Sequence, residues 1–284
     1  MMQQKAKANG AGERKMSKEQ LTNRANNLFE QAVEANSFWC ILQQYRKNIK
    51  THHDEMLCSV AFYNIVYRAL VTSLLLLLSR MYDKNTKALT ISSLLNGMSE
   101  MTEDDIEEKT REAYDFCGGK FQHQLKPTEE CFYEKTVQEK KQILETLGYE
   151  YHSTTVDLSL QECVRLYHNR YRALRKAKSI NNLVAQRNRI IAHNDSETNF
   201  SFDEVFEAFP LSFDDVEVLL NFAIDCTQFV RGVISGVYTI PEYVNIDDWS
   251  ITLNLVHHSL EKTAKPIVLL GEDYAAMNLQ EDKE

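Results

Sequence analysis

Glycine and proline are scarce in this chain, with nine Gly and four Pro among 284 residues. Tight turns between strands depend on these two residue types, so their scarcity argues against a many-stranded sheet and favours long helices. Hydrophobic residues make up 43% of the chain and charged residues 26%, values that are ordinary for a globular domain. The composition therefore predicts an all-α helical bundle with a buried core.

The sequence also lacks the motifs of several enzyme classes. It contains no GxxxxGK[ST] loop, no GxGxxG after a strand, no HExxH and no GxSxG. These absences argue against P-loop nucleotide hydrolysis, zinc proteolysis and hydrolase-fold esterase chemistry. The six cysteines are scattered without a CxxC pair, and the members of each adjacent histidine pair, at 52–53 and 257–258, point apart on a helix. We therefore expect neither a bound metal nor a cofactor.

The sequence also lacks the pattern of a signal peptide and an apolar run long enough to span a membrane. The first fifteen residues, MMQQKAKANGAGERK, have no apolar core of the kind that a signal peptide requires. The apolar run at 69–79 lies between Arg68 and Arg80 and is shorter than the ~20 residues of a membrane span. These observations predict a cytoplasmic protein.

The domain organisation follows from changes in composition along the chain. We expect a disordered leader over residues 1–16, a helical domain over 17–262 and a flexible tail over 263–284. Within the domain, the charged segment 103–147 is interpreted as an inserted helical pair, followed by a loop around 149–158.

Capping and periodicity place the individual helices. SKEQ at 17–20 matches a capping box, and SFDD at 212–215 is interpreted as a second helix start. Residues 60–82 are apolar on all sides, which predicts a central helix surrounded by others. A further helix is expected from 160 to 193, with a bend near Ser179.

Positive charge is also limited, and it is concentrated in one place. The net charge of −9 argues against a protein that coats nucleic acid by bulk electrostatics. Eight basic residues and no acidic residue occur between Arg165 and His193, while the remainder has 24 basic and 41 acidic residues. This stretch is interpreted either as a solvated helix face or as a track that leads RNA to His193, with Tyr167 and Tyr171 stacking on bases.

The stretch AQRNRIIAHNDSE at 185–197 carries the most specific chemistry. Arg187 and Arg189 precede His193 by six and four positions. Arginine offers a permanent charge and a planar fork that matches phosphate oxygens, and histidine exchanges protons near neutral pH. An RNA 2′-hydroxyl needs such a base to attack its own 3′-phosphate, and the five-coordinate transition state needs positive charge. That route requires no metal.

The spacing of Arg187-Asn188 and His193 resembles the R-(polar)-x-H signature of the HEPN superfamily of small all-helical domains. The stretch RNRIIAHND and the helix end LLSRMYD at 77–83 are similar to the AbiU-type abortive-infection branch of that superfamily. The resemblance implies a HEPN-type bundle with an endoribonuclease role in phage defence or a toxin–antitoxin system. It also implies a homodimer, an RNA substrate and an antitoxin or defence partner.

The same resemblance assigns roles to individual residues. Arg187 is expected to stabilise the phosphate, His193 to act as general base or acid, and Asn188 to support the site. The further candidates are residues that contact substrate and residues that orient the site: Arg189, Arg172 and Lys176 for the substrate, and Arg80, Asp83 and Asp195 for orientation.

Structural alternatives stay open for the same residues. Arg187 and His193 can close a helix end, where the helix dipole favours a protonated histidine. Arg80 and Asp83, at i and i+3, can form an ion pair, and Asp195 can be a turn residue. At the level of the whole protein, the alternatives are a non-catalytic module that binds RNA, a nucleotide or a protein, and a structural scaffold.

Overall fold

The structure is a computed structural model of the whole chain. It describes residues 16–85, 88–125, 155–191, 202–241 and 248–263, together with isolated positions at 138, 141–142, 146 and 246. The predicted leader at 1–15 and the tail from 264 onward lie outside the described residues. The second helix of the predicted insertion at 103–147 lies mostly outside them too.

Helices account for nearly all the regular structure of the described residues. Ten α-helices have both ends within the described residues: α1 (Lys18–Thr51), α2 (His53–Leu57), α3 (Val60–Met81), α4 (Ile91–Met98), α5 (Glu108–Phe116), α6 (Leu160–Lys176), α7 (Lys178–Ile191), α8 (Phe202–Ala208), α9 (Phe213–Ser235) and α10 (Trp249–Thr263). The all-α fold class predicted from the sequence is therefore confirmed.

Side-chain caps fix the starts of several helices. At α1 the backbone N–H of Gln20 donates to Ser17 Oγ, and the N–H of Ser17 donates to Gln20 Oε1, each over 3.2 Å. Ser212 and Asp215 form the equivalent reciprocal pair at the start of α9. The helix α9 ends at Ser235 because Gly236 takes up a left-handed conformation with φ of 64°.

A small two-stranded sheet occurs among the described residues, where the sequence predicted no strand: β1 lies within the insertion and β2 lies in the expected loop. Strand β1 (Phe121–Gln124) pairs antiparallel with β2 (Thr155–Leu158), and Phe121 lies opposite Leu158. Val156 and Leu158 of β2 are buried, so this segment belongs to the core and is not the expected loop. Alternation over only four residues is too short for the sequence to indicate a strand.

The chain divides into two compact units. The first unit comprises the described residues up to Ala32 and those from Leu77 to Pro241. Its core is formed largely by α4, α6 and α9, which contact one another pairwise. Tyr82 is fully buried there, and its hydroxyl donates to the backbone carbonyl of Leu219 over 2.6 Å.

The second unit comprises Val33–Leu76 and the described residues after Glu242. Its core is built around Tyr45, Met56 and Leu253, and the ring of Trp249 stacks on Tyr45 at 5.8 Å between centroids. The buried carboxylate of Glu55 on α2 is paired with Nδ1 of His257 on α10. This pair links two helices of the unit.

Helices α3 and α9 are both long and apolar enough to cross a membrane, judged by length and composition alone. The most apolar window of α9 is 67% buried within the protein, as expected for a core helix. The corresponding window of α3 is only 17% buried. The prediction that α3 is surrounded by other helices is therefore wrong for much of its length.

Candidate functional site

The candidate site lies on α7, and this helix is separate from α6. The backbone at Ala177 is extended, with ψ of 151°, so the long helix predicted from 160 to 193 breaks there, two residues before Ser179, near which a bend was expected. Ala173, near the end of α6, and Ala177, at the break, are both exposed. The side of α7 that faces the core carries Ser179, Ile180, Leu183 and Gln186.

Two amide side chains attach α7 to the segment before α9. The Nε2 group of Gln186, a fully buried residue, donates to the carbonyl of Phe209 over 2.6 Å. The Nδ2 group of Asn182 donates to the carbonyl of Pro210, also over 2.6 Å. These two bonds hold the helix that carries Arg187 in a fixed position on the core.

Arg187 is held by polar groups on two sides of its guanidinium. Its Nη1 atom lies 3.2 Å from Oδ2 of Asp83. Its Nε and Nη2 atoms both donate to Oδ1 of Asn188, over 3.0 and 2.8 Å. The side chain of Arg187 is 25% exposed, so the guanidinium is partly desolvated while part of it still faces solvent.

Asp83 is itself fixed before it meets the arginine. It follows the end of α3, and its Oδ1 accepts the backbone N–H of Asn85 over 3.0 Å. The Asn85 N–H, assisted by Arg187, holds the pKa of the Asp83 carboxyl below its ordinary value. Asp83 is therefore an ionised, preoriented partner for Arg187 at neutral pH.

The i,i+3 ion pair between Arg80 and Asp83, one of the alternatives open in the sequence, is not formed. Helix α3 ends at Met81, so Asp83 lies beyond the helix and its carboxylate points to Arg187. Arg80 is exposed, and no ion pair among the described residues includes it.

Arg189 takes a different direction from Arg187. Its guanidinium carbon lies 4.0 Å from the centroid of the Phe209 ring, which is the geometry of a cation–π contact. The structure thus brings Arg187, Asn188 and Asp83 together and places Arg189 on the neighbouring aromatic ring.

Two basic residues of α6 that were expected to contact substrate face solvent, but Tyr167 does not. Arg172 and Lys176 are exposed, and Arg172 Nη1 donates to Asn169 Oδ1 over 3.1 Å. Tyr167 is buried, with its hydroxyl directed to the carbonyl of Asp225. Tyr171 stacks on Tyr82 at 6.4 Å. The prediction that Tyr167 stacks on RNA bases is wrong, because that ring belongs to the core.

His193 and Asp195 lie outside the described residues. Among the residues that are described, no three His, Cys, Asp or Glu side chains come together as a metal site would require. In the described part of the site, Arg187 is a fixed cation near the end of α7. Such a guanidinium can bind a phosphate oxygen.

Asn85, Asn182 and Gln186 support the site and were not identified from the sequence. The pattern Asp83-x-Asn85 after an apolar helix is typical of an Asx-type turn, so Asn85 had a usable local signal. Gln186 and Asn182 had none, because their partners at 209–210 are more than twenty residues away.

A helical bundle with an arginine and a polar neighbour near the end of one helix is the arrangement of a HEPN-type domain. The family model described as AbiU2, a HEPN family, matches residues 18–252, and the chain therefore belongs to the AbiU2 family. No curated protein and no solved structure matches the chain.

Proposed function

We propose that this protein is a metal-independent endoribonuclease of HEPN type that acts in phage defence or a stress response. The observation that carries the proposal is the arginine of the family motif, held by Asp83 and Asn188 and partly exposed. A guanidinium has five N–H donors, and three contacts to the described residues leave donors for phosphate oxygens. A fixed, partly desolvated cation stabilises a charged transition state more than a mobile one in water.

In the proposed reaction, His193 removes the proton of the RNA 2′-hydroxyl or protonates the leaving 5′-oxygen. The 2′-oxygen forms a bond to phosphorus, and the bond from phosphorus to the 5′-oxygen breaks. Arg187 stabilises the phosphorane, Asn188 and Asp83 position Arg187, and Asp195 orients His193. The products are a 2′,3′-cyclic phosphate and a free 5′-hydroxyl.

The surrounding residues have supporting roles in this proposal. Exposed Arg172 and Lys176 attract the RNA backbone, and Arg189 contributes charge beside the helix end. Because each chain supplies one motif histidine, a homodimer provides the acid and the base together. We place the activity in the cytoplasm and expect an antitoxin or another defence protein to restrain it.

A second candidate function is a non-catalytic module that binds RNA, a nucleotide or a protein. The ion pair between Arg187 and Asp83 favours it, because the carboxylate offsets the charge that a phosphate would use. Both candidate functions require the same fold, but only the endoribonuclease predicts catalytic turnover of RNA.

The test is cleavage of a mixed cellular RNA pool by the purified full chain in EDTA. Substitution His193→Ala should lower the rate roughly 10²–10⁴-fold if a positioned acid–base group is lost. Products should end in a 2′,3′-cyclic phosphate. Cleavage that is equal in both proteins contradicts the proposed chemistry, and binding without cleavage supports the second candidate.

A further inference from the structure

A cavity in the first unit lies between α5, β1 and the end of α9. Its volume is about 500 Å³. Ordinary small-molecule sites have volumes of roughly 300–1,000 Å³, so the cavity is large enough for a ligand. None of the described residues that line it belongs to the candidate site around Arg187. The cavity is therefore separate from the site of the proposed function.

Three aromatic rings form the apolar part of the cavity wall. Tyr114 of α5 and Phe121 of β1 pack together, with 4.6 Å between their ring centroids. The chain turns back between them at residues 118–119, two glycines with φ of 70° and 72°. The third ring, that of Tyr238 after α9, packs so closely on Gly232 that any side chain at position 232 would displace it. Aromatic faces that are fixed in this way favour a flat ring in the ligand.

The charged groups of the cavity favour an anion. Lys109 of α5 and Lys120, which precedes β1, both line it. Neither lysine forms an ion pair with any acid of the described chain. Glu107 is the one acid among the described lining residues, and its Oε2 atom accepts the backbone N–H of Thr110 over 3.0 Å. Two lysines and one carboxylate therefore leave the described part of the wall with a net positive charge.

Ser235, the last residue of α9, adds an unused polar group to the wall. Its Oγ atom is enclosed, and it has no hydrogen-bond partner among the residues that the structure describes. Other polar groups of the wall are already used. Thr110 Oγ1 donates to the carbonyl of Gly232 over 3.1 Å, and the Tyr114 hydroxyl donates to the carboxylate of Glu103, also over 3.1 Å. Because enclosed polar atoms nearly always have a partner, the Ser235 hydroxyl is a group that a ligand can satisfy.

We propose that this cavity binds a small aromatic carboxylate of one or two rings. The ring of the ligand packs against Tyr114 and Phe121, the two lysines attract its carboxylate, and Ser235 Oγ donates a hydrogen bond to it. Exposed ion pairs contribute little by themselves, so binding requires the aromatic wall as well as the charge. This inference goes beyond the proposed function, because no step of RNA cleavage uses the cavity.

A polynucleotide is a less suitable occupant than a small anion. Helix α5 and the turn before it present five exposed acids to solvent: Glu103, Asp104, Glu108, Glu112 and Asp115. A chain of phosphates that passed over this surface would be repelled by these carboxylates, whereas a small anion enters the cavity without crossing them. RNA binding is therefore an alternative outcome that the experiment must detect.

The experiment is isothermal titration calorimetry of the full chain with 2-naphthoate, at ligand concentrations up to roughly 5 mM because a ligand of this size makes few contacts. The neutral 2-naphthamide has the same rings and should bind about five-fold more weakly. The double variant Lys109→Met/Lys120→Met should weaken 2-naphthoate by a similar factor and leave 2-naphthamide unchanged. Ala113→Trp, at an exposed position of the wall, fills the cavity and should abolish binding of both compounds. Lys47→Met and Glu112→Trp, at exposed positions outside the wall, are the matched controls and should bind as wild type.

Three results overturn the proposal: no heat of binding with 2-naphthoate, equal affinities of the wild type for the carboxylate and the amide, or binding that persists in Ala113→Trp while its helical circular dichroism is unchanged. Parallel titrations use adenosine monophosphate and a single-stranded RNA oligonucleotide. Binding of either compound that Ala113→Trp abolishes, without binding of 2-naphthoate, assigns the cavity to a phosphate ligand instead. Ala113→Trp should cleave RNA as wild type does, so failure of the proposed function and failure of this inference are distinguishable.

Discussion

The Oδ2 atom of Asp83 lies 3.2 Å from Nη1 of Arg187, although the two residues are 104 positions apart in the chain. The contact joins the segment after α3 to the end of α7. It gives the motif arginine a fixed direction, and Asn188 gives it a second support from its own helix.

Replacement of Arg187 by lysine tests whether the planar guanidinium, with its several N–H donors, contributes to cleavage beyond its positive charge. An ammonium group cannot reproduce bonds from Nε and Nη2 to Asn188 together with the bond from Nη1 to Asp83. We expect Arg187→Lys to lower RNA cleavage by roughly 10²-fold, similar to the loss of one transition-state donor. The rate of cleavage in EDTA is the measurement. Arg189→Lys is the matched control, and an equal loss in both variants contradicts a special role for Arg187.

The sequence identified Asp83 and Arg187 as site residues, but it did not predict that they pair with each other. Both Arg187 and Asp83 were recognised by their resemblance to a family motif, but the sequence offered Arg80 as the partner of Asp83. The i,i+3 rule applies inside a helix, and Asp83 lies two residues beyond the end of α3. Contacts across a hundred residues depend on tertiary packing, which periodicity does not encode.

Helix starts were more predictable than helix sides. The Ser17 and Ser212 caps were identified because a cap is decided by neighbouring residues. The break at Ala177 falls two residues from the bend expected near Ser179, but the sequence does not indicate how far it rotates α7 relative to α6. Hydropathy likewise identified α3 as apolar on all sides, but it cannot distinguish a fully buried helix from one that has an exposed side.

Acid should weaken the contact between Asp83 and Arg187. The pKa of Asp83 is lower in the folded protein than its ordinary value of 3.8, so the pair stabilises the fold above that pH. The contribution is lost as the pH falls through the folded pKa. We expect the difference in Tm between wild type and Asp83→Asn to be constant from pH 7 to about 5 and to shrink toward pH 3.

The size of this effect is small because both side chains are partly exposed, and we expect about 1 kcal/mol or less at neutral pH. Asp104→Asn, which removes an exposed acid paired with Arg111, is the control. A Tm difference for Asp83→Asn that does not change with pH would show that the carboxylate charge contributes nothing.

The hydroxyl of Tyr82 should be important for stability. It is buried and donates to the carbonyl of Leu219 over 2.6 Å. Tyr82→Phe leaves that carbonyl without this donor, which should lower the free energy of unfolding by about 1–2 kcal/mol. Urea denaturation measures the change, and Tyr238→Phe, at a tyrosine that is 63% exposed, should change it little. Equal unfolding midpoints for wild type and Tyr82→Phe contradict the assignment.

The pair formed by His257 and Glu55 should make the second unit sensitive to pH near neutrality. The hydrogen bond that the His257 imidazole donates to the Glu55 carboxylate raises the pKa of His257 above 6.5, although desolvation of the imidazole opposes this shift. A raised folded pKa means that the pair stabilises fully below pH 6.5 and that this stability is lost as the pH rises through the folded value. Two further titratable groups lie close to the pair: His52 is 3.8 Å from Glu55, and Glu261 is 3.4 Å from His257.

We therefore expect His257→Gln to lower Tm more at pH 6 than at pH 9. The protonated form of the His257 imidazole offsets the charge of the buried Glu55 carboxylate, and the neutral form does not. Thermal unfolding followed by circular dichroism at both pH values measures the difference. His258→Gln is the matched control, since that ring contacts only the exposed Glu261 among the acids of the described chain. A larger loss at pH 9 than at pH 6 reverses the expected sign, and it would mean that the neutral imidazole is the stabilising form.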